Sequence, residues 1–279
     1  MIISKAWEMY LKDKQLLGYS KYTLKAYKIQ VNLLIRSIGD KNIENIELTD
    51  LKEYLFEASQ YLKPSSVNHR QRFIRSLFSW AHSEGFITKN PAHKLREMKE
   101  PQRIPRVLSE ENLEMLREGC ESAREHALVE IFFASGCRLS EVTSLNKDCI
   151  NWERRTFIVN GKGSKERECY FTVRAMIWLK KYLNSRKDND MALFVTERAP
   201  HRLSKERIRE IIKEIAKKSN IDTNVYPHIL RGSYATHLLN NGAPLEVIQE
   251  FLGHSKIETT RIYCQLSGER RRELYRKYM

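Results

Sequence analysis

The sequence predicts a mainly α-helical chain of two domains, with one small β-hairpin in the second. Three observations carry that reading. Apolar residues recur at helical spacing through most of the first hundred residues and again beyond residue 109. A basic stretch bracketed by Pro101 and Pro105 interrupts the pattern where a linker belongs, because proline keeps a chain extended and out of helix. Only Thr156 to Thr172 switches to strand-like runs, TFIVN and ECYFT, around the turn Gly161 to Lys165. The boundaries that follow are 1–100, a linker at 101–107, and 108–279.

In the first domain, Ser20 is placed to cap a helix with Leu24, Tyr27, Val31, Leu34 and Ile38 on one face and Gly39 as its stop. Thr49 starts a short helix carrying Leu51, Tyr54 and Leu55. Ser65 or Ser66 starts a longer one ending at Gly85, with Val67, Ile74, Leu77, Phe78 and Ala81 inward. Its other face carries His69, Arg70, Arg72 and Arg75, a candidate surface for DNA phosphates and a groove.

Beyond the linker, Ser109 caps a new helix. Residues 126 to 146 read as an apolar helix running into Gly136-Cys137-Arg138-Leu139-Ser140-Glu141, with Arg138 and Glu141 three apart on one helical face. A helix from Ser204 turns Ile208, Ile211, Ile212 and Ile215 inward and Lys205, Arg207, Arg209 and Lys213 outward, a second candidate DNA contact. Pro227 opens a helix that ends near Asn240 to Gly242. Pro244 sits at the first turn of the next, which stops at Gly253, and Ser255 with Glu258 forms an S-x-x-E capping box for a third. Leu245, Val247, Ile248, Phe251 and Leu252 belong to core. His228 and Arg231, His254, and Tyr263 are the polar outliers.

Composition narrows the partner. Forty-nine Lys and Arg against 35 Asp and Glu leave a formal charge of +14, which points to a polyanion and, ahead of a membrane surface, to nucleic acid. The N-terminus is charged too early for a secretory signal, and no apolar run is long enough to span a bilayer. Five cysteines without a C-x-x-C pair favour reduced thiols in a cytoplasm over a disulfide framework or a zinc site. The spacing C-x5-R of Cys264 and Arg270 is set aside as a phosphate loop because Glu269 falls inside it. Gly161-Lys162-Gly163 lacks the full spacing of a nucleotide P-loop.

The polar outliers suit phosphate chemistry. A guanidinium fork grips a phosphate bidentately, an imidazole donates to it or moves its proton, and a phenol can attack phosphorus once it is clamped. The order H-x-L-R, L-G-H-S and a Tyr nine residues on, with G-x-R-x-S-E upstream and a hairpin Lys between, resembles the tyrosine recombinase (phage integrase) family and its small Xer-like members. The resemblance covers nearly the whole chain. It implies a helical, SAM-like core-binding domain, a mixed α/β catalytic domain, and cleavage through a 3′-phosphotyrosyl intermediate without a metal or other cofactor.

By that resemblance, Tyr263 is the nucleophile, Arg138 and Arg231 clamp the non-bridging oxygens, and His254 adds a hydrogen bond. Lys162, with Lys165 as rival, protonates the leaving 5′-oxygen, His228 manages the Tyr proton, and Glu141 supports Arg138. The implied partner is double-stranded DNA with a specific core site, bound by a tetramer on two duplexes, with an accessory protein possible and a location at the nucleoid. The two domains are expected to close around a duplex. The tail from Glu269 is expected to pass to a neighbouring subunit. A type IB topoisomerase and a catalytically silent DNA-binding regulator are the alternatives.

Overall fold

The computed structural model describes residues 1–101, 106–161, 166–199, 201–263, 275–276 and 279. Its chain contacts divide it into two compact units, Met1–Gln102 and Arg103–Met279. Among the described residues no helix is long and apolar enough to cross a membrane.

The first unit is four helices, α1 (Ile3–Leu16), α2 (Lys21–Ile38), α3 (Leu48–Ser59) and α4 (Pro64–Ser83), around one core. Ser20 caps α2 by accepting from the Thr23 amide, and Gly39 ends it with φ +83°. Two starts differ from the reading above. α3 begins at Leu48, because Glu47 and Asp50 exchange the reciprocal bonds of a capping box. α4 begins at Pro64, whose fixed φ suits the first helical position and whose missing N–H costs nothing there. Its expected stripe, Val67, Ile74, Leu77, Phe78 and Ala81, is buried. Trp7, Tyr10, Phe73 and Trp80 complete an aromatic centre in which the Tyr10 hydroxyl hydrogen-bonds Ser76.

The second unit contains α5 (Glu110–Glu118), α6 (Ala123–Ser135), α7 (Leu139–Ser144), β1 (Ile150–Asn151), β2 (Thr156–Asn160), β3 (Glu166–Tyr170), α8 (Val173–Ser185), α9 (Lys205–Lys218), α10 (Pro227–Asn240), α11 (Leu245–Leu252) and α12 (Glu258–Arg261). The strands form an antiparallel sheet in the order β1-β2-β3, with Thr156 opposite Tyr170 and Asn160 opposite Glu166. Helix α6 is apolar on nearly every side and buried over most of its length, as an all-round hydrophobic helix must be. It packs on α8 and α10.

The helix expected over residues 126 to 146 is two helices. Gly136, left-handed at φ +59°, ends α6, and a Cβ at that position would fall 2.3 Å from the Tyr234 ring. α7 then starts afresh with Arg138 as its N-cap residue, so Glu141 caps the Arg138 amide as well as pairing with its guanidinium. The Ser255 capping box does not form either. Ile257, already helical in its backbone, stands at the N-cap of α12, which has no side-chain cap. In α11 only Ile248 and Leu252 are fully buried.

Candidate active site

The site is built on the last carbonyls of α11. A helix C-terminus leaves backbone carbonyls without intrahelical donors and carries partial negative charge. Three guanidinium groups from three other segments meet them in turn. Arg167 on β3 donates from Nε to the Phe251 carbonyl at 3.1 Å. Arg231 on α10 donates from Nη2 to Leu252 at 2.6 Å. Arg138 donates from Nη2 to Gly253 at 2.9 Å. Gly253 is left-handed at φ +61°, and a Cβ there would meet Arg167 Cδ at 3.0 Å. The residue after it is His254.

Glu141 ties two of these cations together. Its carboxylate accepts from the Arg138 amide at 2.6 Å, from Arg138 Nη1 at 2.9 Å, and from Arg167 Nη1 and Nη2 at 2.7 and 2.9 Å. Four bonds fill the acceptor positions of one carboxylate. Burial alone would raise its pKa, but the hydrogen bonds from Arg167 and Arg138 prevail and hold it below the usual carboxylate value. Three arginines and one carboxylate leave two positive charges in surplus.

Arg231 is the most deeply placed of the set, 1% exposed, with its other bond running from Nη1 to the Gly136 carbonyl at 2.5 Å. Burial, then the neighbouring Arg138 cation, brings its pKa down to about 10, so it remains charged at neutral pH. Arg138, Arg231, His228 and Arg209 line a cleft of about 280 Å³ together with Cys137, Leu139, Tyr226 and Pro227.

Both histidines are neutral at pH 7. Desolvation, followed by Arg231 and Arg138, lowers the pKa of His228. The same causes, joined by His228 and Arg167, bring His254 down to about 4. His254 Nδ1 lies 2.9 Å from the Thr260 hydroxyl, and Gln249 Nε2 donates to the His254 carbonyl at 3.0 Å. Because the folded pKa of His254 is below its ordinary value of 6.5, the unfolded chain binds the extra proton first as pH falls. The stability this histidine supports is therefore present above pH 6.5 and lost progressively towards pH 4. Thermal unfolding of the free chain between those pH values should show a decline that His254→Gln makes shallower.

Tyr263 follows α12 and is 3% exposed, packed with Tyr234, Ala235, Ile248 and Leu252. Gly232 faces the ring at close range: a Cβ at that position would stand 3.4 Å from it, in ordinary contact. Burial raises the phenol pKa, and the Arg231 cation pulls it part of the way back.

Of the residues read from the sequence, Arg138, Glu141, His228, Arg231 and His254 thus come together around the α11 terminus, with Tyr263 packed beside them. Lys162 and Lys165 lie outside the described residues, as do Cys264, Glu269 and Arg270. Arg209 reaches the cleft rim, whereas Arg207 turns to Glu214 and Glu210 at 2.9 and 3.2 Å along its own helix. Lys205 is half-buried at the start of that helix. On α4, His69 and Arg75 are exposed, Arg70 packs on Tyr54 and donates to its hydroxyl, and Arg72 pairs bidentately with Glu97.

Arg167 is the contributor that the reading passed over. The signal was present: β3 alternates, and Arg167 shares its inward face with Cys169, where a cation requires a partner. Cys137 and Cys169 are buried with their sulfurs 3.4 Å apart, the Cys137 thiol donating. Among the described residues no group of His, Cys, Asp or Glu is arranged to hold a metal ion.

Two family models match the chain. Residues 106–270 match the phage integrase family, and residues 5–85 match the phage integrase N-terminal SAM-like domain. Tyrosine recombinase XerD of Ralstonia nicotianae is 32% identical over 275 residues, covering 94% of this chain and 89% of that protein. Tyrosine recombinase XerC of Bacillus subtilis is 32% identical, covering 92% and 90%. Among solved structures, XerA recombinase is 25% identical with a TM-score of 0.58, covering 99% and 98% of the two chains. A lambda integrase dimer bound to a COC′ core site has the same fold, with a TM-score of 0.80 at 18% identity and 96% and 97% coverage.

The fold is therefore that of the tyrosine recombinases, a helical N-terminal part followed by a catalytic domain with a small sheet. The chain belongs to the phage integrase family, enzymes that cut and rejoin DNA, and its curated relatives are Xer recombinases. The topoisomerase and silent-regulator alternatives are not favoured by these relatives.

Proposed function

We propose that this chain is a site-specific recombinase that breaks and rejoins double-stranded DNA through a phosphotyrosyl bond at Tyr263. The observation that carries the reading is the gathering of Arg138, Arg167 and Arg231 on the α11 terminus with one carboxylate among them. That surplus of positive charge is preorganised for a phosphodiester and its more highly charged transition state.

In this mechanism Arg138 and Arg231 hold the non-bridging oxygens, using N–H groups beyond those bound to carbonyls, and neutral His254 donates a further bond. Glu141 and Arg167 keep Arg138 in place. Tyr263 attacks in line, forming a bond from its oxygen to phosphorus as the 5′-oxygen leaves with the bonding pair. The phenol proton passes to a base, for which neutral His228 is suited, and Lys162, between β2 and β3 in the sequence and with Lys165 as its rival, supplies a proton to the leaving oxygen. The phosphodiester energy is kept in the tyrosyl link, so attack by a 5′-hydroxyl reverses the step without ATP.

Residues 1–100 are assigned to core-site binding, with His69 and Arg75 the exposed members of the α4 set that make no side-chain hydrogen bond among the described residues, and Lys205 and Arg209 extend the contact beside the cleft. Assembly as a tetramer on two duplexes, with the segment from Glu269 passed between subunits, belongs to the same proposal, as does a nucleoid-associated location. A relative of the same fold has been solved as a lambda integrase tetramer bound to a Holliday junction, with a TM-score of 0.76.

The test is to trap the protein on nicked duplexes, which let the short 5′ fragment diffuse away, drawn from its own genomic neighbourhood, and to sequence the attached DNA. One recurrent inverted-repeat site is expected, and adducts scattered without sequence preference would refute site specificity. Binding to that site should weaken by about 0.9 log units per log unit of salt for each phosphate neutralised. Arg75→Ala should lower that slope by about one phosphate, measured by fluorescence anisotropy, while Arg72→Ala changes it less because Glu97 already pairs Arg72.

A further inference from the structure

The hydrogen bond between Thr260 and His254 fixes more than the position of the ring. The Thr260 side chain is fully buried, and among the described residues His254 Nδ1 is the one partner its hydroxyl has. A buried hydroxyl that gives its proton to nothing is costly, so the arrangement that satisfies Thr260 has the hydroxyl donating and Nδ1 accepting. Neutral imidazole carries one ring proton. With Nδ1 as acceptor, that proton resides on Nε2.

Thr260 also belongs to the element that carries the nucleophile. It lies three residues before Tyr263, one turn away, and Ile257, Thr260 and Tyr263 form the inward side of this short segment. Thr260 and Tyr263 are both essentially removed from solvent, so the two dock as a unit. His254 is fixed independently, by the bonds of its backbone N–H and carbonyl to Gln249 at 3.1 and 3.0 Å. Undocking the Tyr263 segment would leave the His254 backbone in place and withdraw the partner of its Nδ1.

We propose that Thr260 is a positioning residue that sets the His254 tautomer, so that the Nε2 donor is fixed when the Tyr263 segment is docked. The consequence for catalysis rests on the proposed role of His254 as a phosphate donor. The tautomer itself does not. A subunit with its nucleophile seated would thus hold its third phosphate donor ready, and a subunit with the segment displaced would hold it less firmly. Half-active sites in an assembly would then differ in two groups, not one.

The experiment uses the full chain labelled with ¹⁵N and long-range ¹H–¹⁵N spectra of the imidazole rings, with His254→Gln assigning the signals. Wild type should show a hydrogen-bonded, unprotonated Nδ1 and a protonated Nε2. In Thr260→Val, close in shape, the Nδ1 signal should move to that of a free acceptor, and Thr260→Ser should restore it. Cleavage of a nicked duplex selected by wild-type trapping should fall about 10- to 100-fold in Thr260→Val, the range typical of groups that orient a functional imidazole at metal sites. DNA affinity should be unchanged. In a His254→Ala background, Thr260→Val should cost nothing further. A protonated Nδ1 in wild type, or the same loss in the His254→Ala background, would overturn the proposal. Full cleavage by His254→Ala alone would instead refute the phosphate-donor role, while the ring-nitrogen signals still decide the tautomer.

Discussion

Tyr263→Phe should bind its DNA site with wild-type affinity and form no covalent adduct. The ring belongs to a buried cluster with Tyr234, Ile248 and Leu252 and lies beside Gly232, an apolar setting that a phenylalanine ring suits equally. Only the hydroxyl is lost, the atom proposed to form the bond to phosphorus. The variant should therefore melt close to wild type, which separates lost chemistry from lost fold. A gel that resolves protein–DNA adducts under denaturing conditions reads the first, and anisotropy reads the affinity. An adduct that persists in Tyr263→Phe would move the nucleophile elsewhere, with Tyr275 and Tyr278 the next candidates.

Arg231→Ala should combine the second-largest loss of cleavage with a real loss of stability. The side chain is buried and bridges the Gly136 and Leu252 carbonyls, the ends of two helices. Removing it leaves two buried acceptors without donors, at about 1–3 kcal/mol each. Cleavage should fall by about 10²–10³-fold or more, the scale of removing one preorganised donor from a transition-state site. Arg231→Lys tests the geometry, because an ammonium is a point charge and cannot reach both carbonyls and a phosphate with a planar fork. It should recover part of the stability and little of the rate. Equal recovery of both would mean that charge alone matters at this position.

How far the sequence reaches depends on what each residue responds to. Helices with clean apolar stripes and side-chain caps, such as those begun by Ser20, Ser109 and Ser204, were legible because the signals are local. The break at Gly136 was less so. An apolar run continues across it, and the need for a left-handed residue becomes clear only when Tyr234 packs against it. α8, capped by Thr172, went unread for the opposite reason, since the strand-like ECYFT run ends on its cap.

The site shows the same division. His228, Arg231, His254 and Tyr263 stood out as polar residues among core positions, and Arg138 through the G-x-R-x-S-E motif. The two arginines find partners in the backbone carbonyls of residues 136, 252 and 253, and no side-chain pattern can announce a carbonyl. Arg167 and Thr260 were missed because each acts through another residue. On α4, Arg70 and Arg72 spend part of their hydrogen bonding on Tyr54 and Glu97, partners that helical spacing alone does not announce.

If one tyrosine, held beside a cluster of arginines, cuts DNA without help from a metal ion, as proposed, the residue that carries the DNA can be located directly. The most direct measurement digests the wild-type protein after trapping on a nicked duplex in excess chelator and locates the nucleotide-bearing peptide by mass spectrometry. A single modified peptide is expected, with the nucleotide on Tyr263, in a yield that chelator does not reduce. A nucleotide on any other residue, or an adduct that forms only when magnesium is returned, would contradict the proposed mechanism.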